Sequence, residues 1–253
     1  MMGESGMILR LERSSIHDGE GLRTVVFFKG CPLSCAWCST PESQSPEIEK
    51  GEGYSYGQRM TVAEVMAEIG KDEVFFFHSG GGVTLSGGEP LAQADFAAAL
   101  LKEARRLNID TALESSLALP WREVAKALPD LNTLFADIKL MNPERHRFWC
   151  GQDNQLILEN LRRVAAWDWP LTLVARMPLV PGVNDDDENI LATARFCREL
   201  GRVERLELLP YHRLGLHTYA KLGREYLLPQ VKPPSPDYLA ERRRLAGQYI
   251  PCV

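Results

Sequence analysis

The sequence predicts an α/β fold, a partial (β/α)6 barrel in one domain spanning residues 1–253. Three observations predict it. Short β-rich runs alternate with apolar-periodic helical segments, the mark of βα units and a parallel sheet. The composition, 45% hydrophobic and 25% charged, is that of an ordinary globular chain, and a chain of this size buries a core without disulfides. The unusual polar motifs all fall where β-rich runs end, and in parallel sheets and barrels ligands bind at that edge.

The elements follow in order. The first strand is Thr24–Phe28, and GCPLSCAWC follows it. Ser39–Arg59 is polar and rich in Gly, Pro and Ser, and reads as a long exposed loop. Thr61–Ile69 is helical, and strand Val83–Ser86 ends in Gly-Gly-Glu-Pro. Helix Gln93–Leu107 leads to strand Thr111–Glu114, and helix Trp121–Leu128 to strand Thr133–Asp137, which runs into Asp137-Ile138-Lys139. Helix Asn154–Ala166 precedes strand Leu171–Arg176, and helix Glu188–Leu200 precedes strand Arg205–Leu209, followed by Pro210-Tyr211-His212. Six units are too few for an eight-fold barrel, which favours a partial one. The pattern alone also allows a doubly wound open sheet.

Charge and targeting exclude some functions. The net charge of −5 argues against a nucleic-acid partner. Apolar runs such as Val25–Phe28 and Val74–Phe77 are far too short to span a membrane. The N-terminus has no apolar stretch of signal-peptide length. A cytoplasmic location is the default expectation, with no membrane partner.

The six cysteines divide unequally. Cys31, Cys35 and Cys38 crowd into eight residues, whereas Cys150, Cys197 and Cys252 are scattered. In a reducing compartment the cluster reads as metal binding or redox chemistry, and the scattered three as buried small hydrophobes. Iron–sulfur clusters are normally held by four thiolates. Three on one loop leave one iron without a protein ligand, open to a substrate. A zinc site of the three-cysteine, one-histidine type is the other reading. No histidine follows the triplet closely, and His17 is the nearest before it.

The Cys-x3-Cys-x2-Cys spacing, with Trp37 before the last cysteine, resembles that of the radical S-adenosylmethionine superfamily. Longer stretches narrow the resemblance. IHDGEGLRTVVFFKGCPLSCAWCSTPES, SGGGVTLSGGEPL and LELLPYHRLGLHTYAKLGREYLLPQVKPP are similar to segments of the glycyl-radical-enzyme activating enzymes. The resemblance covers nearly the whole chain and is weakest between Trp121 and Asp168. It implies a barrel of the radical S-adenosylmethionine type and one 4Fe–4S cluster on Cys31, Cys35 and Cys38. S-adenosylmethionine would chelate the open iron and be cleaved to a 5′-deoxyadenosyl radical. The partner would be a glycyl-radical enzyme of the pyruvate formate-lyase type or a related lyase or dehydratase, and the electron donor flavodoxin or ferredoxin. The size matches the minimal members, and Ser39–Arg59 holds no cysteine for auxiliary clusters. A monomer with a transient partner is the default.

The resemblance also carries residue roles. It places Trp37, Cys38 and Ser39 where loop backbone lines the adenine. Gly87, Gly88 and Glu89 form the turn that receives the amino group, and glycine suits a close backbone approach. Asp137, Ile138 and Lys139 lie against the ribose and methionyl end. Arg176 is set on the carboxylate side, where its planar fork suits a carboxylate, and His212 contacts the adenosine. Asp18 is placed near the incoming glycine loop, as a catalytic residue.

Three positions depart from the family pattern. Thr40 stands where asparagine is frequent. Glu20 replaces proline in the Asp-Gly-Pro-Gly opening. Glu114-Ser115 replaces an Asp-Thr pair whose aspartate helps hold a monovalent cation, so Glu114 with Asp137 is the candidate for that cation here. Two further functions stay open. One is a radical enzyme acting on a small molecule, similar to 7-carboxy-7-deazaguanine synthase. The other is a zinc or iron–sulfur protein with a structural or electron-transfer role.

Overall fold

Eight strands form one mixed sheet, and the order across it decides the architecture. The computed structural model describes residues 4–51 and 53–253. Its N-terminal part comprises β1 (Ser5–Ser15), β2 (Arg23–Phe28), β3 (Glu49–Gly51), β4 (Tyr54–Tyr56), β5 (Gln58–Thr61), α1 (Val62–Ile69) and α2 (Glu73–Ser79). The central units are β6 (Gly82–Gly87), α3 (Ala94–Arg106), β7 (Asp110–Ser115), α4 (Trp121–Ala127), β8 (Thr133–Asp137), α5 (Pro143–Cys150) and α6 (Gln155–Ala165). The chain continues through β9 (Thr172–Leu179), α7 (Asp187–Leu200), β10 (Val203–Pro210), α8 (Leu216–Lys221) and α9 (Pro236–Ala246).

The order is β10-β9-β8-β7-β6-β2-β1-β5. From β2 to β10 every neighbouring pair is parallel and follows chain order. A doubly wound sheet needs a reversal of strand order at a switch point. None occurs, so the six βα strands form the partial barrel. Strands β1 and β5 extend it antiparallel beyond β2. The margins β5 and β10 do not pair, and the barrel stays open at the side.

Alternation along the strands builds two faces. Leu85, Leu113, Leu134, Leu173, Leu206 and Leu208 are buried against the helices in the main core. Fully burying such a side chain is worth roughly 1.5–3 kcal/mol, so this layer supplies much of the drive to fold. The residues between them face the lumen. Ala112, Phe135 and Val174 form a small apolar layer of their own, while Ser86, Glu114, Asp137, Arg176 and Glu207 lie nearer the C-terminal strand ends. Register aligns the latter: Asp137 pairs with Arg176, and Arg176 with Glu207.

All six expected barrel strands form. The expectation of a long exposed loop over Ser39–Arg59 needs correction. Pro41–Ser43 is a buried 3-10 turn, and β3 and β4 pair as a hairpin. Lys29 and Arg224 hold Glu49 from opposite directions, so a polar stretch is ordered by ion pairs. Glu52 lies outside the described residues. The tail Pro251–Val253 covers the free edge of β10, through Leu206 N to Pro251 O at 2.9 Å and Leu208 N to Val253 O at 2.9 Å. No described helix is long and apolar enough to cross a membrane.

Candidate functional site

The cysteine loop leaves β2 at Phe28, and its neck is closed by backbone bonds. Gly30 N donates to Ser43 O at 2.7 Å and Cys31 N to Gln44 O at 3.0 Å. Lys29, fully buried, donates to the carbonyl of Glu42. Gly30 holds φ +91°, a conformation that favours glycine. Farther along, Ser34 N bonds Cys150 O and Ala36 N bonds Trp149 O, both at 2.9 Å, so the loop lies on the C-terminal end of α5. All six cysteines are free; Cys31, Cys35 and Cys38 are half-buried, whereas Cys150 and Cys197 are buried.

The thiols sit where an isolated thiolate is disfavoured. Burial pushes Cys38 up to about 11 and raises Cys31 as well. Cys35 is raised by Cys150 first and by burial second. A soft metal that takes up thiolate charge resolves this conflict. The soft three-thiol donor set of the loop fits an iron–sulfur group.

The glycine turn is laid on the neck of this loop. Gly87 has φ +110°, and a Cβ there would sit 2.6 Å from Phe28 O. One on Gly88 would sit 2.5 Å from Gly30 O and 2.7 Å from Ser43 O. Glu89 N donates to Gly30 O at 2.8 Å. The Glu89 carboxylate points away from the lumen. It accepts from Ser115 Oγ at 2.8 Å, Ser116 N at 2.8 Å, Ser116 Oγ at 2.6 Å and Leu91 N at 3.2 Å. It staples the turn to the end of β7, and backbone, not carboxylate, is what the turn offers a ligand.

Four strands supply the facing groups. Asp137 Oδ2 lies 2.6 Å from Lys139 Nζ. Burial lowers Lys139, but Asp137 and the nearby Cys35 thiol more than offset it, so it stays charged. Ile138 is buried and bonds Arg176 O through its N–H at 2.8 Å. Arg176 donates through Nε to Glu207 at 2.7 Å and through Nη1 to Glu114, and stacks 3.6 Å above the Phe135 ring. Burial pushes Glu114 up to about 7 against the pull of Arg176, and Asp18 and Asp137 add to the rise.

Asp18 reaches the lumen on the segment before β2. Its carbonyl accepts from Thr84 Oγ1 at 2.7 Å, its carboxylate from Ser15 Oγ. Beside this segment lies a 380 Å³ cavity, lined by His17, Gly19, Glu20, Phe135, Arg176 and Glu207 among others. Trp37 is buried with Tyr211 and Leu140, and Ser39 is exposed. A Cβ on Gly215 would lie 2.9 Å from Cys38 O, so the segment after β10 rests on the cysteine loop. His212 is exposed on that segment, and its Nδ1 accepts from Leu214 N at 3.4 Å.

The cation expectation does not fit. Both Glu114 oxygens are engaged, one by Arg176 and the other by Ser86 Oγ at 2.5 Å, and Asp137 is paired with Lys139. Glutamate's extra methylene lets the carboxylate reach the guanidinium. Sequence reasoning missed Ser86, Phe135, Arg205 and Glu207. Arg-Leu-Glu-Leu at 205–208 alternates polar with apolar, and that period of two was the available signal.

A profile of the radical SAM superfamily matches residues 25–194. The chain belongs to the radical SAM superfamily. Membership implies a 4Fe–4S cluster and S-adenosylmethionine, which suits the triplet's donor set. Similar radical SAM proteins include the isethionate sulfite-lyase activating enzyme of Nitratidesulfovibrio vulgaris, 37% identical over 280 positions covering 90% of this chain and 91% of that protein. The (2S)-3-sulfopropanediol dehydratase activating enzyme of Klebsiella oxytoca is 38% identical, covering 90% and 88%. The 4-hydroxyphenylacetate decarboxylase activating enzyme of Clostridioides difficile is 35% identical, covering 87% and 86%. All three alignments, over 280, 282 and 275 positions, run longer than the 253-residue chain, so these relatives carry residues it lacks. A solved domain of pyruvate-formate lyase-activating enzyme from Bacteroides vulgatus shares 31% identity at a TM-score of 0.57, covering 68% of this chain and 98% of that one. A radical SAM methyltransferase from Sphaerobacter thermophilus, 15% identical with a TM-score of 0.64 over 97% of this chain and 76% of that one, shares the fold.

Proposed function

We propose that this protein activates a partner enzyme by removing a hydrogen atom from a glycine of that partner. The observation that carries the reading is the near full-length match, at 35–38% identity, to activating enzymes whose named targets are a sulfite-lyase, a dehydratase and a decarboxylase. The partner is a glycyl-radical enzyme of that broad group, and a flavodoxin or ferredoxin is the electron donor. The chain works as one domain and as a monomer, in the cytoplasm.

Cys31, Cys35 and Cys38 would hold a 4Fe–4S cluster, which when bound would supply one-electron reductive cleavage of S-adenosylmethionine to methionine and an adenosyl radical. The chain's own residues do the positioning. The Gly87-Gly88 backbone receives the amino group, and Asp137, Ile138, Lys139 and Arg176 hold the ribose and methionyl end. The backbone of Trp37, Cys38 and Ser39 lines the adenine, with His212 closing in from the segment after β10. Asp18 stands beside the cavity, where the partner's glycine loop enters. Holding a glycine hydrogen against the reactive carbon removes much of the entropic barrier. The apolar layer of Ala112, Phe135 and Val174 beneath the polar one limits water around a reactive species.

Isotope transfer tests the reading. A partner built with α-dideuterated glycine, incubated anaerobically with reduced enzyme and S-adenosylmethionine, should yield deuterated 5′-deoxyadenosine by mass spectrometry. Undeuterated product from enzyme with an intact cluster, together with turnover of a free metabolite, would transfer the chain to the small-molecule class.

A further inference from the structure

Cys150 belongs to no motif, yet it is built into the cluster loop. It ends α5, is 0% exposed, and its carbonyl accepts from Ser34 N at 2.9 Å. One residue earlier, Trp149 O takes Ala36 N at 2.9 Å. These two bonds bracket Cys35. Gln152 Nε2 adds a third, to Pro32 O at 2.7 Å. Gly151, with φ +86°, presses so closely on Ser34 Oγ that a Cβ would collide with it. The end of α5 and the loop are thus locked together on both sides of the middle cysteine.

The surroundings of Cys150 are dry. It packs with Ala36, Trp37, Leu140, Val180 and Tyr211, and Cys35 packs against that cluster. The bonds of Ser34 N to Cys150 O and of Ala36 N to Trp149 O set the two cysteines beside each other. Lys139 and Asp137, at the end of β8, are paired with each other at 2.6 Å. When Cys35 is a thiolate ligand it is acceptor-only, and a neighbouring S–H is a weak donor.

We propose that Cys150 is a positioning residue for the cluster, its S–H donating to the Cys35 sulfur and raising the cluster's reduction potential. Hydrogen bonds to cluster sulfurs favour the more negative, reduced state and are among the levers that set the potential. The inference rests on the cluster occupying the triplet, and not on which partner the enzyme activates.

The test is an anaerobic redox titration of the reconstituted protein, followed by electron paramagnetic resonance, with iron and sulfide assayed beside it. Cys150→Ser keeps a donor and should hold the wild-type potential. Cys150→Ala removes the donor and should move the potential to a more negative value at unchanged iron content. Equal potentials in all three proteins would overturn the proposal, as would equal shifts in both variants. Loss of iron in Cys150→Ser and Cys150→Ala alike would overturn it too, by making Cys150 a ligand. Should the alanine variant pack too loosely to hold iron, Cys150→Thr and Cys150→Val, matched in shape, make the same comparison.

Discussion

The carboxylate of Glu89 accepts four hydrogen bonds where no water reaches it. Replacing it by alanine strands the donors of Ser115 and Ser116, and each unsatisfied buried group costs about 1–3 kcal/mol. Glu89→Ala should therefore lower the urea-unfolding free energy by about 3 kcal/mol or more. Glu114 acts through its proton. Its pKa in the folded chain is about 7, against an ordinary 4.5. Between those values the folded chain keeps a proton that the unfolded chain has released. Stability therefore falls as pH rises from 4.5 to 7 and is level beyond either end. The drop is on the order of 3 kcal/mol, and Glu114→Gln should flatten it in urea titrations across that range.

At the scale of elements, the neck of the cysteine loop and the helix caps make different demands. A Cβ on Gly88 meets the carbonyls of Gly30 and Ser43, so Gly88→Ala should wedge the neck open and lower the iron retained after reconstitution. Thr61 caps α1, accepting from Glu64 N at 3.3 Å while its own N–H donates to Glu64 at 2.7 Å. Thr61→Ala should cost about 1 kcal/mol and leave the iron content unchanged. The same contrast explains what the sequence made legible. The six barrel strands and the helices α1, α3, α4, α6 and α7 carry periodic apolar residues, and each was expected within a few residues of where it forms. Helix α5 (Pro-Glu-Arg-His-Arg-Phe-Trp-Cys) buries only His146 and Cys150, so it has no apolar stripe to read. Strand β1 ends in exposed Glu12, Arg13 and Ser14, so no continuous apolar run marks it as a strand. The cysteine, Gly-Gly-Glu-Pro and Asp-Ile-Lys motifs were legible because they are local. The lumen network of Ser86, Glu114, Arg176 and Glu207 was not, because only the register of four strands brings it together.

Across the whole molecule, an open barrel must protect its edges. The tail Pro251–Val253 does so at β10 through three backbone bonds, including Val253 N to Leu206 O at 3.1 Å. Deleting these residues should cost about 3 kcal/mol, at roughly 1 kcal/mol for each bond. It should also expose an unpaired strand edge, visible as concentration-dependent light scattering. The 380 Å³ cavity lies next to the Asp18 segment, between His17 and Gly19 on one hand and Arg176 and Glu207 of the polar layer on the other. The most direct measurement is an electron paramagnetic resonance spectrum of a candidate glycyl-radical enzyme after anaerobic incubation with this protein, reductant and S-adenosylmethionine. The account predicts a glycyl-radical doublet that requires Cys31, Cys35 and Cys38. Cleavage of S-adenosylmethionine by enzyme with an intact cluster, with no doublet on any glycyl-radical enzyme of the same genome, would contradict it.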